Sequence, residues 1–193
     1  IESSLSIHRE TGNKRMEGNM LSNLGTFRRQ HGDMEAARTC LESALVIHQK
    51  LGNRVMEGII LGNLGDLLAE IGEMSDASDH FQRAITICDQ TQSAGAGAFR
   101  GSLAMIYALE GQLDTAREFL AQGEEQLRGN WTYELGKLLC KRVKVEQMAN
   151  DDDAAMNALF EVERIVEQLK ISAGSELGKA LSEARRSLGR DPQ

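Results

Sequence analysis

Three lysines give the clearest candidate for binding chemistry in this sequence. Lys137, Lys141 and Lys144 are spaced by four and then three residues, so they share one face of a helix. The chain carries a formal net charge of -7 at pH 7, and a basic stripe on an acidic protein could attract an acidic peptide segment. The alternative is an ordinary solvated helix face, and the spacing alone leaves both interpretations open.

Other residues of chemical interest fit structural roles better than catalytic ones. The glycine-rich residues 93–101, SAGAGAFRG, lack the spacing of a phosphate loop and follow no strand, so they predict the start of a helix. His8 and His48 lie 40 residues apart at equivalent repeat positions, which favours helix packing. The run Asp151–Asp153 is too short for a calcium loop and predicts a helix N-terminus. We therefore predict no catalytic residue, no metal site, no cofactor and no enzyme.

Composition narrows the class of protein further. The chain has 41% hydrophobic, 26% charged and 4% aromatic residues, and its one proline is Pro192, which together favour a folded, all-α protein. The negative net charge argues against a nucleic-acid partner, and no apolar run reaches the length of about 20 residues that spans a bilayer. Cys40, Cys88 and Cys140 form no close pair, which fits a reducing, cytoplasmic location.

The elements that position these residues come from an internal duplication. Residues 12–25, GNKRMEGNMLSNLG, recur as residues 52–65, GNRVMEGIILGNLG, and overlaying 5–44 on 45–84 gives 16 identities in 40 positions. Self-similarity at a fixed period is the signature of a repeat architecture. Each unit predicts two helices: the first runs from Lys14 to His31 and ends at Gly32, and the second begins at an Asp33 cap.

Small residues predict where the helices pack closely. Gly25 and Ala37 would let the two helices of a pair approach each other. A further glycine recurs at one place in every predicted first helix, although glycine inside a helix costs about 1 kcal/mol relative to alanine. This recurrence predicts a packing reason, such as a close approach of the preceding helix, at Gly18, Gly58, Gly97, Gly136 and Gly178.

The repeats predict one solenoid domain over residues 1–193. Residues 1–11 correspond to the second helix of a truncated repeat, the repeats cover 12–51, 52–91, 92–130 and 131–171, and 172–193 form a polar capping helix and tail. Because residues 1–13 match 41–53 without a first-helix partner, we expect the chain to come from a longer protein. The same unpaired helix offers a route to self-association.

The repeat pattern resembles the tetratricopeptide repeat, whose usual period is 34 residues. The period here is about 40 and the closing proline is missing, a long form similar to the repeats of Leu-Gly-Asn adaptors, kinesin light chains and helical arms of bacterial regulators. The resemblance implies a right-handed superhelix of antiparallel helix pairs, about four repeats plus a C-terminal capping helix, with first helices lining a concave groove. It is carried by Leu61, Leu64, Gly65, Leu68, Gly72, Ala77, Phe81 and Ala84.

Family groove positions can be transferred to this chain residue by residue. They place candidate partner-binding side chains at Asn19, Asn23, Arg29, Asn63, Asp66, Glu70, Met105, Lys137, Lys141 and Lys144. Asn23 and Asn63 could hydrogen-bond an extended ligand backbone, because an amide both donates and accepts. Alternatively, these two asparagines bond a neighbouring helix of the same chain.

The resemblance implies a non-catalytic interaction scaffold, or adaptor. We expect it to bind a peptide segment of a protein partner in its groove. The alternative is a ligand-sensing regulatory arm of a larger signalling ATPase, kinase or cyclase. We expect neither nucleic acid nor a membrane as a partner, and the identity of the protein partner stays open.

Overall fold

The described residues of this computed structural model, His8 and 11–190, form α-helices joined by short turns and contain no strand, which confirms the all-α prediction. The helices form the antiparallel pairs of a repeat solenoid. Nine helices lie within these residues: α1 Lys14–Gln30, α2 Met34–Lys50, α3 Arg54–Glu70, α4 Met74–Gln90, α5 Gly95–Leu109, α6 Leu113–Leu127, α7 Thr132–Met148, α8 Asp152–Leu169 and α9 Glu176–Ser187.

The chain forms two compact units, residues 1–95 and residues 96–193. We call them unit 1, which contains α1 to α4, and unit 2, which contains α6 to α9 and all of α5 but its first residue. The single domain and the repeat boundaries expected from the sequence stay predictions. Apart from His8 and Thr11, the predicted helix at 1–11 lies outside the described residues, so its role in self-association also stays a prediction.

Side-chain caps and left-handed turn residues fix the helix ends. The Oδ1 atom of Asp33 accepts a hydrogen bond from the backbone N–H of Ala36 at 3.4 Å, and Asp151 caps α8 through Ala154 at 3.0 Å, as both were predicted to do. Gly32, with φ of 80°, ends α1 in the left-handed conformation that suits glycine. The sequence pattern therefore located these helix boundaries correctly.

The core of unit 1 joins α1, α2 and α3 through one apolar cluster: Leu21, Leu24, Ala37, Leu41, Ala44, Ile60, Leu64 and Leu67. Glycines on the first helices allow the side chains of the second helices to pack against the first-helix backbone. A Cβ atom at Gly25 would lie 2.7 Å from Leu41 Cγ, and one at Gly65 would lie 2.7 Å from Phe81 Cε1. Both distances are too short for ordinary contact, so the helices of each pair pack as closely as their backbones permit.

The recurring glycine has a packing role, but the direction predicted for three of its positions is wrong. A Cβ at Gly18 would lie 2.7 Å from His48 Nε2, and one at Gly58 would lie 2.8 Å from Cys88 Sγ. At Gly97 the nearest atom is Leu127 Cγ at 2.6 Å. In each case the approaching side chain belongs to the second helix of the same pair. The helix that follows, and not the one that precedes, sets the requirement for glycine.

Ion pairs with buried carboxylates connect α6 and α7 in unit 2. The Glu146 carboxylate accepts hydrogen bonds from Arg117 Nε at 2.8 Å and Nη2 at 2.5 Å, and it also pairs with Arg142. Arg142 pairs in addition with the buried carboxylate of Glu124. These contacts fix the register of α6 against α7, because each carboxylate has a guanidinium partner on the facing helix or turn.

Candidate partner-binding surfaces

Six predicted site residues lie on the first helices of unit 1. Asn19, Asn23 and Arg29 lie on α1, and Asn63, Asp66 and Glu70 lie on α3, which contacts α1 directly. We call this set of side chains the α1–α3 surface. The residues that share it are 40 or so positions apart in the chain, so the repeat period is what brings them together.

A charged cluster occupies the C-terminal end of the α1–α3 surface. Arg29 Nη1 lies 2.7 Å from Glu70 Oε1 and 4.0 Å from Asp66 Oδ2. Burial raises the pKa of Glu70, and the nearby Arg29 guanidinium opposes that rise while Asp66 adds to it. The three predicted residues therefore act as one electrostatic group with two carboxylates and one guanidinium.

The asparagines of the α1–α3 surface differ in exposure and in hydrogen bonding. Asn23 is exposed and Asn63 is half-buried, and neither side-chain amide has a hydrogen-bond partner within the described residues. Asn19 donates a weak bond to Met16 Sδ at 3.9 Å, while its buried Oδ1 atom has no partner in the part of the chain that the structure describes. Bonding of Asn23 and Asn63 to a neighbouring helix, the alternative interpretation, is not seen in this part of the chain.

The remaining predicted site residues lie on first helices of unit 2. We call the side chains of α5, α7 and α9 that surround them the α5–α7–α9 surface. Met105 is half-buried on α5. On α7, Lys141 Nζ lies 2.6 Å from Ser102 Oγ, Lys144 Nζ lies 3.1 Å from a Glu183 carboxylate oxygen, and Lys137 Nζ lies 2.9 Å from Glu176.

The lysine face is therefore paired with its own chain. Burial opposes the charge on Lys137, but the carboxylates of Glu134 and Glu176 outweigh this effect and raise the pKa of the ammonium group. Lys141 contacts a hydroxyl on α5, while Lys137 and Lys144 contact carboxylates on α9. The α7 lysines therefore link adjacent first helices as well as facing solvent. Their role in binding a partner stays a prediction.

The partners Ser102, Glu176 and Glu183 were not foreseen from the sequence. Each lies 39 residues from the lysine that it contacts: Ser102 from Lys141, Glu176 from Lys137, and Glu183 from Lys144. This spacing equals the period of the third repeat. A search for complementary side chains one repeat period apart would have found all three.

Nothing in the described residues points to a reactive centre. Burial raises the pKa of the Cys140 thiol to about 12 and also raises that of Cys88, so both thiols stay protonated and are poor nucleophiles. No group of three metal-binding side chains occurs in the described part of the chain. None of its helices combines the length and apolar character needed to cross a membrane. An open depression of about 430 Å³ lies at the α2–α3 turn, and none of the predicted site residues lines it.

Comparisons with known proteins agree with the repeat pattern. Residues 17–90 match the family model described as tetratricopeptide repeat. BtubC (BKLC) from P. vanneervenii is 17% identical, with a TM-score of 0.73 over 98% of this chain and 82% of that one. Two structures of Podosopora anserina kinesin light chain TPR-like repeats, also 17% identical, have TM-scores of 0.64 and 0.61, and each match covers 89% of this chain and 85% or 86% of theirs.

A larger assembly also contains a similar chain. In the APC/C hetero-tetramer Cut9-Hcn1, the match has 18% identity and a TM-score of 0.50, covering 86% of this chain and 36% of that chain. No curated protein matches this sequence. At such low identity the solved structures show a shared fold, and TPR repeats are in general protein–protein interaction modules. Residues 17–90 thus match the tetratricopeptide repeat model, and the chain as a whole has the fold of TPR-like repeat proteins.

Proposed function

We propose that this chain is a non-catalytic interaction scaffold whose α1–α3 surface binds an extended peptide segment of a partner protein. The observation that carries the proposal is the pair of equivalent amides, Asn23 and Asn63, that have no hydrogen-bond partner among the described residues. An amide with a free donor and a free acceptor can bond both the C=O and the N–H of an extended backbone. It thereby binds a main chain irrespective of its side chains.

The spacing of the two asparagines suits an extended ligand. Packed helices lie about 8–10 Å apart, and an extended chain covers that distance in about three residues at roughly 3.3 Å per residue. Asn23 and Asn63 would therefore bond peptide units about three residues apart. The Arg29, Asp66 and Glu70 cluster would face the next ligand side chain along this direction and select it by charge.

The α5–α7–α9 surface is the second part of this proposal. Lys141 and Lys144 exchange their contacts with Ser102 and Glu183 for an acidic side chain of the ligand, while Met105 supplies an apolar contact. The exposed residues Leu109 and Met148, at the ends of α5 and α7, extend the apolar area. The ligand for this surface would thus be an acidic segment with apolar side chains.

The test uses a displayed library of random 12-residue peptides selected on the full chain. Affinities of selected peptides are then measured by calorimetry for the wild type and for the double variant Asn23→Ala and Asn63→Ala. Each amide–backbone pair contributes about 0.5–1.5 kcal/mol, so we expect the double variant to bind about 10- to 100-fold more weakly. Asn157→Ala, at an exposed position on α8, is the matched control and should bind normally. Equal binding by the double variant would remove the asparagines from the site.

The lysine contribution is tested by charge reversal. Lys141→Glu and Lys144→Glu, introduced together, should abolish the binding of acidic peptides selected in the same experiment and leave neutral ones unaffected. Because Lys144 and Glu183 form an exposed pair, reversal at Lys144 should cost little stability. Lys141 is half-buried against Ser102, so a thermal melt of the double variant must first establish that it is folded. Unchanged affinity for every selected peptide would assign the lysines to the helix contacts alone.

A further inference from the structure

Two carboxylates of α9 lie against lysines of α7 at equivalent repeat positions. Lys137 Nζ lies 2.9 Å from Glu176 Oε1, and Lys144 Nζ lies 3.1 Å from Glu183 Oε2. One period before Lys144, the equivalent residue on α5 is the uncharged Met105. The first helix α9 therefore places a negative charge at each of two positions where α7 carries a positive one.

Other contacts hold α9 in place. Leu177, Leu181 and Ala184 are buried, and α9 packs on both α7 and α8. At the C-terminal end of α9, Gln147 Nε2 of α7 donates to the backbone carbonyl oxygen of Ser187 at 2.8 Å. Because apolar burial and this bond fix the helix, its carboxylates are presented to the lysines at defined positions.

The two carboxylates can leave the lysines without unfolding α9. The side chains of Glu176 and Glu183 are 58% and 59% exposed, and exposed ion pairs contribute little to stability. They still compete well with an incoming carboxylate, because a group tethered beside its partner acts at a high effective concentration. The fold therefore loses little when a ligand replaces them, whereas the ligand must outcompete both.

We infer that α9 is an internal competitor for the α7 lysines, which holds down the affinity of the α5–α7–α9 surface for acidic ligands. This inference rests on the proposed function of that surface. An acidic side chain pairs with Lys144 by replacing Glu183, and with Lys137 by replacing Glu176. A ligand with one carboxylate replaces only one of these contacts. The competition thus favours segments that carry several acidic residues.

The first test measures affinity with a fluorescein-labelled hexaglutamate peptide, followed by fluorescence anisotropy at low ionic strength, where charge screening is weak. The double variant Glu176→Gln and Glu183→Gln should bind this probe at least about threefold more tightly than the wild type, since each exposed pair accounts for up to about fivefold in an equilibrium constant. The matched control is Glu118→Gln with Glu125→Gln. It removes two exposed carboxylates, also seven residues apart, from α6, and should leave the affinity unchanged.

A second test needs no ligand. Burial opposes the charge on Lys137, but Glu134 and Glu176 outweigh it and raise the pKa of the ammonium group. Glu176→Gln should therefore increase the fraction of neutral amine and speed acetylation of Lys137 by limiting acetic anhydride at least about twofold. Mass spectrometry measures the rate, with the exposed Lys50 of unit 1 as the internal reference.

The outcomes separate this inference from the proposed function. Tighter binding and faster acetylation support it. A probe that is lost in the Lys141→Glu and Lys144→Glu variant, but binds the α9 double variant no more tightly than the wild type, would overturn the competition and leave the proposed lysine site intact. A probe that binds neither protein would overturn both. Unchanged acetylation of Lys137 would show that Glu176 does not restrain it, and would also overturn the competition.

A circular dichroism melt first establishes that each variant is folded. If the double variant melts early, Glu183→Gln alone takes its place, because its carboxylate is exposed and the buried face of α9 is unchanged. This single variant should bind the probe about two- to fivefold more tightly than the wild type. Equal affinity would count against the competition in the same way.

Discussion

At the scale of single residues, the fold depends on how little space separates the two helices of a pair. Gly65 illustrates this, because a Cβ there would lie within 2.8 Å of two atoms of the Phe81 ring. An aromatic ring in a packed core cannot move aside cheaply. Gly101 sits in a looser place, where the nearest atom to such a Cβ is Leu138 Cγ at 3.3 Å.

These two glycines make a matched pair for mutagenesis. Gly65→Ala should destabilise the protein by about 1–3 kcal/mol through overpacking. Gly101→Ala should be close to neutral, because a gain of up to about 1 kcal/mol in helix propensity offsets a mild contact. Urea denaturation followed by circular dichroism measures both, and equal effects would show that the Phe81 contact is not what requires glycine.

His48 is the residue that makes unit 1 sensitive to pH. It is 0% exposed, and neither ring nitrogen has a hydrogen-bond partner among the described residues. Burial lowers its pKa, and the nearby Arg15 lowers it further. The folded protein therefore disfavours the protonated ring. As far as His48 is concerned, the free energy of unfolding has its full value above the unfolded pKa of about 6.5 and declines as the pH falls below it.

Replacing His48 tests this pH dependence. Leu127 holds the equivalent place opposite Gly97, so His48→Leu should fold and should lose part of the fall in urea midpoint that the wild type shows between pH 7 and pH 5. Identical slopes for wild type and His48→Leu would contradict the assignment.

At the scale of helices, ion pairs determine how α6, α7 and α8 meet. Glu146 is buried and holds both Arg117 and Arg142, so Glu146→Gln removes the negative charge between two guanidiniums. Breaking a buried pair in this way costs about 3–5 kcal/mol, and we expect a loss at the lower end because Arg117 keeps Asp151 at 3.1 Å.

A more exposed pair supplies the comparison. Glu161 pairs with Arg128, which is half-exposed, and exposed pairs contribute about 1 kcal/mol or less. Glu161→Gln should therefore shift the urea midpoint only slightly. If the two variants lose equal stability, burial of Glu146 does not govern the strength of its contacts.

Helix positions were predictable because their signals are local. Asp33, Gly32 and Asp151 mark helix ends through bonds and backbone angles set within a few residues. The contacts of Lys141 and the direction of approach at Gly18 were not foreseen. They depend on the rotation of one helix against another that lies 30 to 40 residues away, which the identity of a single residue does not reveal.

The candidate sites follow the same division. The sequence pattern predicted site residues on the first helices, and the structure brings Arg29, Asp66 and Glu70 into one charged cluster. Their role in binding a partner stays a prediction. The sequence could not show that the amides of Asn23 and Asn63 lack partners among the described residues. Satisfaction of a hydrogen bond depends on every neighbouring group and not on the residue itself.

At the scale of the whole molecule, repeats make stability local. In repeat architectures each element contacts its sequence neighbours, so stability is close to a sum of neighbouring terms. The apolar cluster around Leu41 lies entirely within α1, α2 and α3, and the buried Leu159 of α8 lies in unit 2. Damage to one core should therefore be felt mainly in its own unit.

Hydrogen exchange can measure this locality. Leu41→Ala should cost about 2–5 kcal/mol and speed amide exchange in residues 11–95 more than in 96–190, whereas Leu159→Ala should do the reverse. Both variants remove the same atoms from fully buried sites. Equal acceleration across the whole chain in both variants would show a single cooperative fold.

The tight glycine contacts also have a mechanical consequence. With Gly18 against His48, Gly58 against Cys88 and Gly97 against Leu127, the helices of a pair can neither slide nor roll without a steric clash. Each helix pair should then move as a rigid body, and the flexibility of the repeats lies in the contacts between pairs. A ligand bound to two first helices would therefore change the angle between their helix pairs without deforming either pair.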